Sequence, residues 1–417
     1  MKLYKQQKKL IMNILQIDKY FYLKGGAETV FFNTIDLLKE RGHNVVPFCL
    51  KSKKNRQSEY SKYFVDFPEL SESSTFTKIK NISNFFYNTD SVKKLETLIQ
   101  NEKPDIAHIH LLFNGISVSI LPLLKKHNIP IVMTVHDYRL ICPAYTFRNG
   151  KEEICESCLK NKRYIQCFTN KCSKGNLTNS LLLSLDSYYR ETFYNPLDYI
   201  DKFIFVSKFS QNKHIEADLK YKEKSVHLYN FTSDRRSNIE NKKDYLLYIG
   251  RISEEKGIQT LIKAQQLVPN VDIKIVGTGP LLNDLKKNYP NVSFLGFKEG
   301  KELEQLIKEA KFTIVPSEWY ENNPLSVIES MMSGTPVIGS NIAGIPELIK
   351  DKQDGFLFQT RNYNNLADVI KEAISLSKED YIKMSDSAYK FAKENFSKEV
   401  HYKRLYEIYL ETISKYK

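Results

Sequence analysis

Short apolar runs punctuate this chain at regular intervals, and most are followed by residues with helical apolar spacing. Residues 12–17, 44–50, 105–109, 129–135, 202–206 and 225–229 each read as a buried strand. Residues 27–41 place Val30, Phe31, Ile35, Leu37 and Leu38 on one helical face, and Gly42 ends that helix. Residues 118–127 read the same way, whereas 51–62 is polar and reads as a loop. A polar, charged stretch at 234–243 interrupts the rhythm, which then restarts. Strands are predicted at 245–249, 271–276, 291–295, 312–315 and 336–340. Helices are predicted at 257–267, 280–288, 301–310, 324–333 and 365–376.

Strand–helix alternation of this kind predicts parallel sheets covered on both faces. The fold class is therefore α/β, with two doubly wound, Rossmann-like domains, 1–232 and 240–397, facing each other across a cleft. Ligands of such sheets sit at the carboxyl ends of the strands. The tail carries Val400, Leu405, Ile408, Tyr409 and Ile413 at helical spacing, so 398–417 is predicted to be an amphipathic helix. Periodicity alone does not choose the domain it docks on.

The length of 417 residues fits two or three domains. With 24 Phe and 26 Tyr the chain has the apolar mass for real cores, which excludes disorder as its main state. No apolar run approaches the roughly 20 residues of a membrane span. No secretory leader is recognisable, so a cytoplasmic location is expected. The net charge of +13 is lopsided: residues 1–240 hold 37 Lys+Arg against 25 Asp+Glu, the remainder 25 against 24. A basic half of this kind suits nucleic acid, an anionic membrane or an anionic substrate. A Lys-rich solvated surface accounts for it equally well.

Several residues near predicted strand ends could carry chemistry. Arg251 follows a strand, and Lys256-Gly257 opens the next helix. Two cations beside a helix N-terminus make an anion site. Gly277-Thr278-Gly279-Pro280 follows another strand and allows either close approach to a ligand or a tight turn. Glu321 comes just after a strand, Asn323-Pro324-Leu325 opens a helix, and Glu329 lies within it among Val327, Ile328, Met331 and Met332. A carboxylate there is costly without a partner, and a hydroxyl pair of a sugar or ribose is a suitable one. Glu347 falls at the same sheet edge. In the first half, Gly25-Gly26-Ala27-Glu28 opens a helix, His136-Asp137 ends a strand, and Ser207 and Asn230 end two more.

Five of the six cysteines lie between 142 and 172. Cys155 and Cys158 form a C-x2-C pair, followed by Cys167 and Cys172, with Cys142 upstream. Disulfides are not expected in a cytoplasmic chain, and the spacing suggests a tetrahedral thiolate site, most simply structural zinc. Lys160, Lys162, Arg163, Lys171 and Lys174 would offset the thiolate charge. On spacing, Cys155, Cys158, Cys167 and Cys172 form a reasonable set, and ordinary buried thiols are the plain alternative.

Taken together, the Gly-Arg…Glu-Lys-Gly run, the Gly-x-Gly-Pro turn, the Glu-x7-Glu pair and Gly-Ile-Pro-Glu resemble the nucleotide-sugar half of a GT-B glycosyltransferase of family 4, a retaining family. The Gly-Gly and His-Asp motifs extend that resemblance over residues 12–400. It implies that Arg251 and Lys256 hold the donor diphosphate, Glu329 the ribose hydroxyls, and Glu321 and His136 the donor sugar. It also implies that Gly25, Gly26, Gly279, Asn323, Pro324 and Leu325 bring backbone close to donor atoms. Asn322-Asn323 stands where the family usually has Phe-Gly. The resemblance makes 1–232 the acceptor-side domain with a Cys-rich insertion at 142–176, and docks the C-terminal helix back on it. It favours Cys142, Cys155, Cys158 and Cys172 as metal ligands, with Cys167 the alternative.

The expected activity is retaining transfer of a sugar from a nucleotide-diphosphate sugar to a lipid-linked glycan hydroxyl, in bacterial surface polysaccharide synthesis, without a catalytic metal. Peripheral contact with the anionic cytoplasmic face of a membrane is expected. It could run through the aromatic stretch 60–87, where Phe76, Phe85, Phe86 and Tyr87 lie among Lys78 and Lys80, although these could equally be core. Other readings are a GT-B epimerase or phosphorylase, and a zinc-containing nucleic-acid binder, which the cleft carboxylates disfavour.

Overall fold

The computed structural model of the protein describes residues 10–67, 83–236 and 238–416. Phe76, Lys78 and Lys80 lie outside them. Two six-stranded sheets, all parallel, form the centres of two domains. The first holds β1 (Asn13–Ile17), β2 (Asn44–Phe48), β3 (Ile106–Ile109), β4 (Ile131–Val135), β5 (Lys202–Phe205) and β6 (Ser225–His227), in the order β2-β1-β3-β4-β5-β6. The second holds β7 (Lys243–Ile249), β8 (Asp272–Val276), β9 (Ser293–Gly296), β10 (Ala310–Val315), β11 (Val337–Ser340) and β12 (Gly355–Phe358), in the order β12-β11-β10-β7-β8-β9.

The strands are short and apolar because helices cover both faces. Every residue of β3 and β4 is buried. One face of the first sheet packs Leu15, Ile109 and Met133 beneath the helix Thr89–Glu102 through Leu95 and Leu98. The other face packs Ile14, Val45 and Ile204 against Phe31 and Leu38 of the helix Gly26–Glu40.

The chain passes between the domains twice, and the two passages run side by side. Thr232 N–H donates to the Phe396 carbonyl at 3.0 Å, and Thr232 bridges Ser397. Before that point the helix Lys378–Phe396 covers the second domain, where Ala388, Ala392 and Phe396 meet Val327 and Met331. After it the helix Lys398–Ile413 lies on the first domain, with Tyr402, Leu405, Ile408 and Tyr409 against Met12, Phe31 and Leu38. One clasp therefore joins the linker, the tail and both cores. Among the described residues no helix is long and apolar enough to cross a membrane.

Candidate functional site between the domains

Strand order reverses beside β1 in the first sheet and beside β7 in the second. Loops leave such a point toward opposite faces and open a crevice at the carboxyl ends of the strands. The two crevices face each other. From the first domain the helix Gly26–Glu40 begins at the cleft with Gly25 before it, and the Glu28 carboxylate bonds the backbone of Gly25 and of Glu28 itself. From the second, the helix Leu325–Met332 begins at Pro324, without a side-chain cap. The two starts are close: a methyl group on Gly26 would come 4.0 Å from Leu325 Cδ1. Two positive helix ends thus bracket one space.

That space is a cavity of about 440 Å³ lined by Gly26, His136, Lys256, Glu321, Asn322, Asn323 and Glu329, among others. Lys256 Nζ donates to Glu321 Oε1 at 2.6 Å, and Ser317 Oγ donates to the same oxygen at 2.8 Å. Burial pushes the Glu321 carboxyl up, but the Lys256 charge and these hydrogen bonds more than offset it, so its pKa lies below the usual value. The position of Lys256 depends on Gly257, whose φ is +67° and on which a Cβ would stand 1.8 Å from the Pro316 carbonyl oxygen. Only glycine lets the loop after β7 press against the exit of β10.

The loop 319–324 is tied to the first domain. Asn322 Nδ2 donates to the His136 carbonyl at 2.7 Å, and the Asn230 N–H donates to Asn323 Oδ1 at 2.8 Å. Asn322 Oδ1 and Asn323 Nδ2 are buried without any hydrogen-bond partner. Orphaned buried polar atoms cost roughly 1–3 kcal/mol each, and these two belong to residues that line the cavity. The His136 ring lies 2.9 Å from the His110 ring, Nε2 to Nδ1, which leaves its Nδ1 without a partner among the described residues. Burial lowers the His136 pKa to about 4, so the ring is neutral at pH 7.

Glu329 lines the same cavity, with Arg235 at 3.8 Å. Burial raises its carboxyl pKa, only partly offset by Arg235. Two candidate residues have other duties. Glu347 accepts from the Lys208 and Phe209 N–H groups at 2.7 and 2.5 Å, capping a first-domain helix from across the cleft. Ser207 accepts from the Ser210 N–H at 3.1 Å and caps the same helix. Gly279 is packed by the fold itself, since a Cβ there would lie 2.2 Å from the Ile252 carbonyl oxygen.

A second cavity of about 530 Å³ adjoins the first, and Tyr145, Lys256 and Trp319 line both. Arg251 lines the second, together with Arg148, Cys172, Lys174 and Pro280. The cysteine-bearing insertion forms this wall and is clamped to the second domain. Tyr320 Oη donates to Glu156 at 2.9 Å, and Arg148 pairs with Glu255 at 3.5 Å. Trp319, Tyr145, Arg148 and Lys174 escaped the sequence reading as cleft residues. The one available signal was that Trp319, the only tryptophan, lies two residues before Glu321.

The clustered cysteines do come together. The Cys172 thiol hydrogen-bonds to both Cys155 and Cys167, and this contact draws the Cys155 pKa down to about 5. Burial pushes Cys142 and Cys158 up to about 12. All six cysteines are free. Among the described residues no group of three or more His, Cys, Asp or Glu is placed to hold a metal ion. Cys158 also feels the charges of Cys142, Cys155 and Cys167, so all five clustered thiols are neighbours, with Cys155, Cys167 and Cys172 the bonded trio. No chemical step is derived through zinc.

Two family models match successive parts of the chain: Glycosyltransferase Family 4 over residues 24–233 and Glycosyl transferases group 1 over 230–391. A 42.6 kDa protein in the cps region of Klebsiella pneumoniae is 25% identical over 81% of this chain and 87% of its own. UDP-Gal:alpha-D-GlcNAc-diphosphoundecaprenol alpha-1,3-galactosyltransferase of Escherichia coli is 26% identical over 70% of this chain and 72% of its own. In three dimensions, Anabaena HepE, solved in complex with UDP, covers 96% of this chain and all of its own, with a TM-score of 0.68 at 16% identity. With family models spanning both domains, and two parallel sheets that face each other as in the solved relatives, the chain is a GT-B glycosyltransferase and belongs to glycosyltransferase family 4.

Proposed function

We propose that the enzyme moves a sugar, with retention of configuration, from a nucleotide-diphosphate sugar to a hydroxyl of a lipid-linked glycan in bacterial surface polysaccharide synthesis. The observation that carries this reading is the Lys256–Glu321 pair at the wall between two cavities, beside the unpartnered Asn322 Oδ1 and Asn323 Nδ2. The donor would lie in the smaller cavity, its ribose on Glu329 and its diphosphate between Lys256, Arg251 and the helix starts at Gly26 and Leu325. Its sugar would lie under His136 and beside Glu321. The bond between the anomeric carbon and the phosphate oxygen breaks, and Arg251, Lys256 and the backbone N–H groups stabilise the charge left on the diphosphate. The acceptor oxygen, entering from the larger cavity, bonds to the same face of that carbon and passes its proton to the departing phosphate oxygen. These fixed cations do the work a divalent ion does in other transferases.

The relatives support the biological setting. One belongs to a cps region, another acts on a diphosphoundecaprenol-linked sugar, and a third of similar fold binds UDP. Peripheral contact of the basic first domain with an anionic membrane follows from such an acceptor. The test is a panel of nucleotide sugars scored by thermal shift and by slow release of free nucleotide, with an Arg251→Ala, Lys256→Ala double variant as control. One donor should stabilise and be hydrolysed by the wild type alone. Failure of every donor and nucleoside diphosphate to bind would remove the reading.

A further inference from the structure

The helix Leu177–Phe193 is built inside out. It buries Ser180, Ser184, Ser187 and an Asp186–Arg190 pair, and turns Leu177, Leu181 and Leu185 to solvent. Leu177, Leu181, Leu185 and Tyr188 are 46, 37, 49 and 38% exposed. At spacings of four, four and three they form one stripe about 17 Å long. Ile165, also exposed, continues it, since its N–H donates to Tyr188 Oη at 3.2 Å. The exposed positions of this helix carry no charge at all. Burying serines while exposing leucines makes no sense for a helix whose outer face meets only water.

The flanking sequence says what covers the stripe. Residues 157–185 contain five cations and no carboxylate: Lys160, Lys162, Arg163, Lys171 and Lys174. Lys162 is paired with Glu191 and Asp218. Lys160, Arg163, Lys171 and Lys174 are exposed, without an ion-pair partner among the described residues. An apolar stripe rimmed by unpaired cations is complementary to a bilayer with anionic headgroups, where apolar burial and surface potential add. An acidic protein groove would satisfy the cations but would have to desolvate four scattered side chains at once.

We propose that the stripe Leu177–Leu181–Leu185–Tyr188, with its basic rim, is the surface by which this enzyme docks on an anionic bilayer. Leu183 of the same helix, and Cys172, Ser173 and Lys174 just before it, line the larger cavity beside Arg251 and Lys256. Docking on this face would hold that cavity next to the headgroups. This last consequence, unlike the surface itself, rests on the proposed lipid-linked acceptor.

The test is sedimentation of the full chain with phosphatidylcholine vesicles, with and without phosphatidylglycerol. It compares wild type, Leu181→Ser/Leu185→Ser and Lys160→Ser/Arg163→Ser/Lys171→Ser. Melting temperature, its shift on adding UDP, and molecular mass in solution are read on the same samples. The wild type should bind only the anionic vesicles, and less as salt rises. Each variant should bind at least tenfold less with its melting temperature and UDP shift unchanged. Wild type that ignores anionic vesicles, or a leucine variant that still binds them, overturns the proposal. So does a wild-type dimer that the leucine variant makes monomeric, which gives the surface to a second copy. A fall in the variant's melting temperature overturns it too, because the chain itself would then cover the stripe. Vesicle binding without any UDP shift would leave the docking surface standing and count against the donor site alone.

Discussion

Lys256 Nζ and Glu321 Oε1 stand 2.6 Å apart where the two cavities of the cleft meet. Each holds the other ready, and neither is free to leave. Removing the ammonium in Lys256→Ala strands a carboxylate that is only 9% exposed. The expected cost is about 2–3 kcal/mol, below the fully buried limit because Lys256 is partly exposed. Adding Glu321→Gln should restore most of that stability, since the amide needs no counter-charge. Activity should stay lost in both variants, as the leaving diphosphate would have lost its cation. Urea unfolding of the single and double variants, set beside turnover, checks this. A double variant no more stable than Lys256→Ala would mean the pair is not coupled as the geometry requires.

Glu321 also gives the pair a pH sign. A carboxyl held below its unfolded value of 4.5 lends stability that is complete above that pH and is lost as pH falls through the lower folded value. Glu329 has the opposite sign. Burial raises its folded pKa, so its ionised form costs stability at pH 7. Glu329→Gln should therefore raise the melting temperature by a few degrees. The same change should weaken UDP about 10- to 100-fold if the carboxylate bonds the ribose hydroxyls. Calorimetric melting and UDP titration on one sample read both effects. A residue serving the fold alone would not move them in opposite directions.

Gly25 and Gly26 separate fold from function more sharply still. A methyl group on either meets nothing closer than 3.5 Å, and neither has a φ that disfavours a side chain. Gly26→Ala should leave the melting temperature of the unliganded protein unchanged or slightly higher. If donor phosphate approaches this backbone, the methyl group intrudes on it, and donor KM should rise at least tenfold. Kinetics with unchanged KM would mean the loop does not touch the donor.

How much of this could be read from residues alone follows from physical reach. Strands β3, β4 and β5 were legible because strands buried on both faces are unbroken apolar runs. Strand β12 opens on Gly355 directly after a polar turn, which leaves only Phe356, Leu357 and Phe358 as an apolar run. The helix Leu177–Phe193 was missed because its pattern is inverted, and Lys378–Phe396 because it buries Tyr381, Ser385, Ala388 and Ala392 rather than aliphatics. In the site, Lys256, Glu321 and Glu329 were legible, since charge beside a strand end or on an apolar helix is costly without a purpose. The Asn230–Asn323 bond, the Glu347 cap and the Tyr320–Glu156 clamp join residues 93, 138 and 164 positions apart. No local pattern encodes such pairings. The cysteines show the boundary: their gathering followed from spacing, but the bonded trio did not.

The histidines predict how the enzyme fails in acid. Burial holds His136, His214 and His401 near pKa 4 and His108 near 3, with His110 also well below 6.5. They are neutral when folded and take up protons near pH 6.5 when unfolded, so the unfolded state binds more protons between those limits. Stability must therefore fall as pH drops from 6.5 toward 4, each ring steepening the slope by up to about 1.4 kcal/mol per pH unit. His401 isolates one such contribution, because it lies on the last helix, donating from Nδ1 to the Tyr229 carbonyl at 2.9 Å and packed on Phe231. His401→Gln can keep that hydrogen bond yet cannot take up a proton. Urea unfolding at pH 7, 6 and 5 should show the wild type losing stability steeply. The variant should start somewhat lower and lose it more slowly, by close to one proton. Parallel pH profiles for the two would mean that His401 is as easily protonated in the folded chain as in the unfolded one.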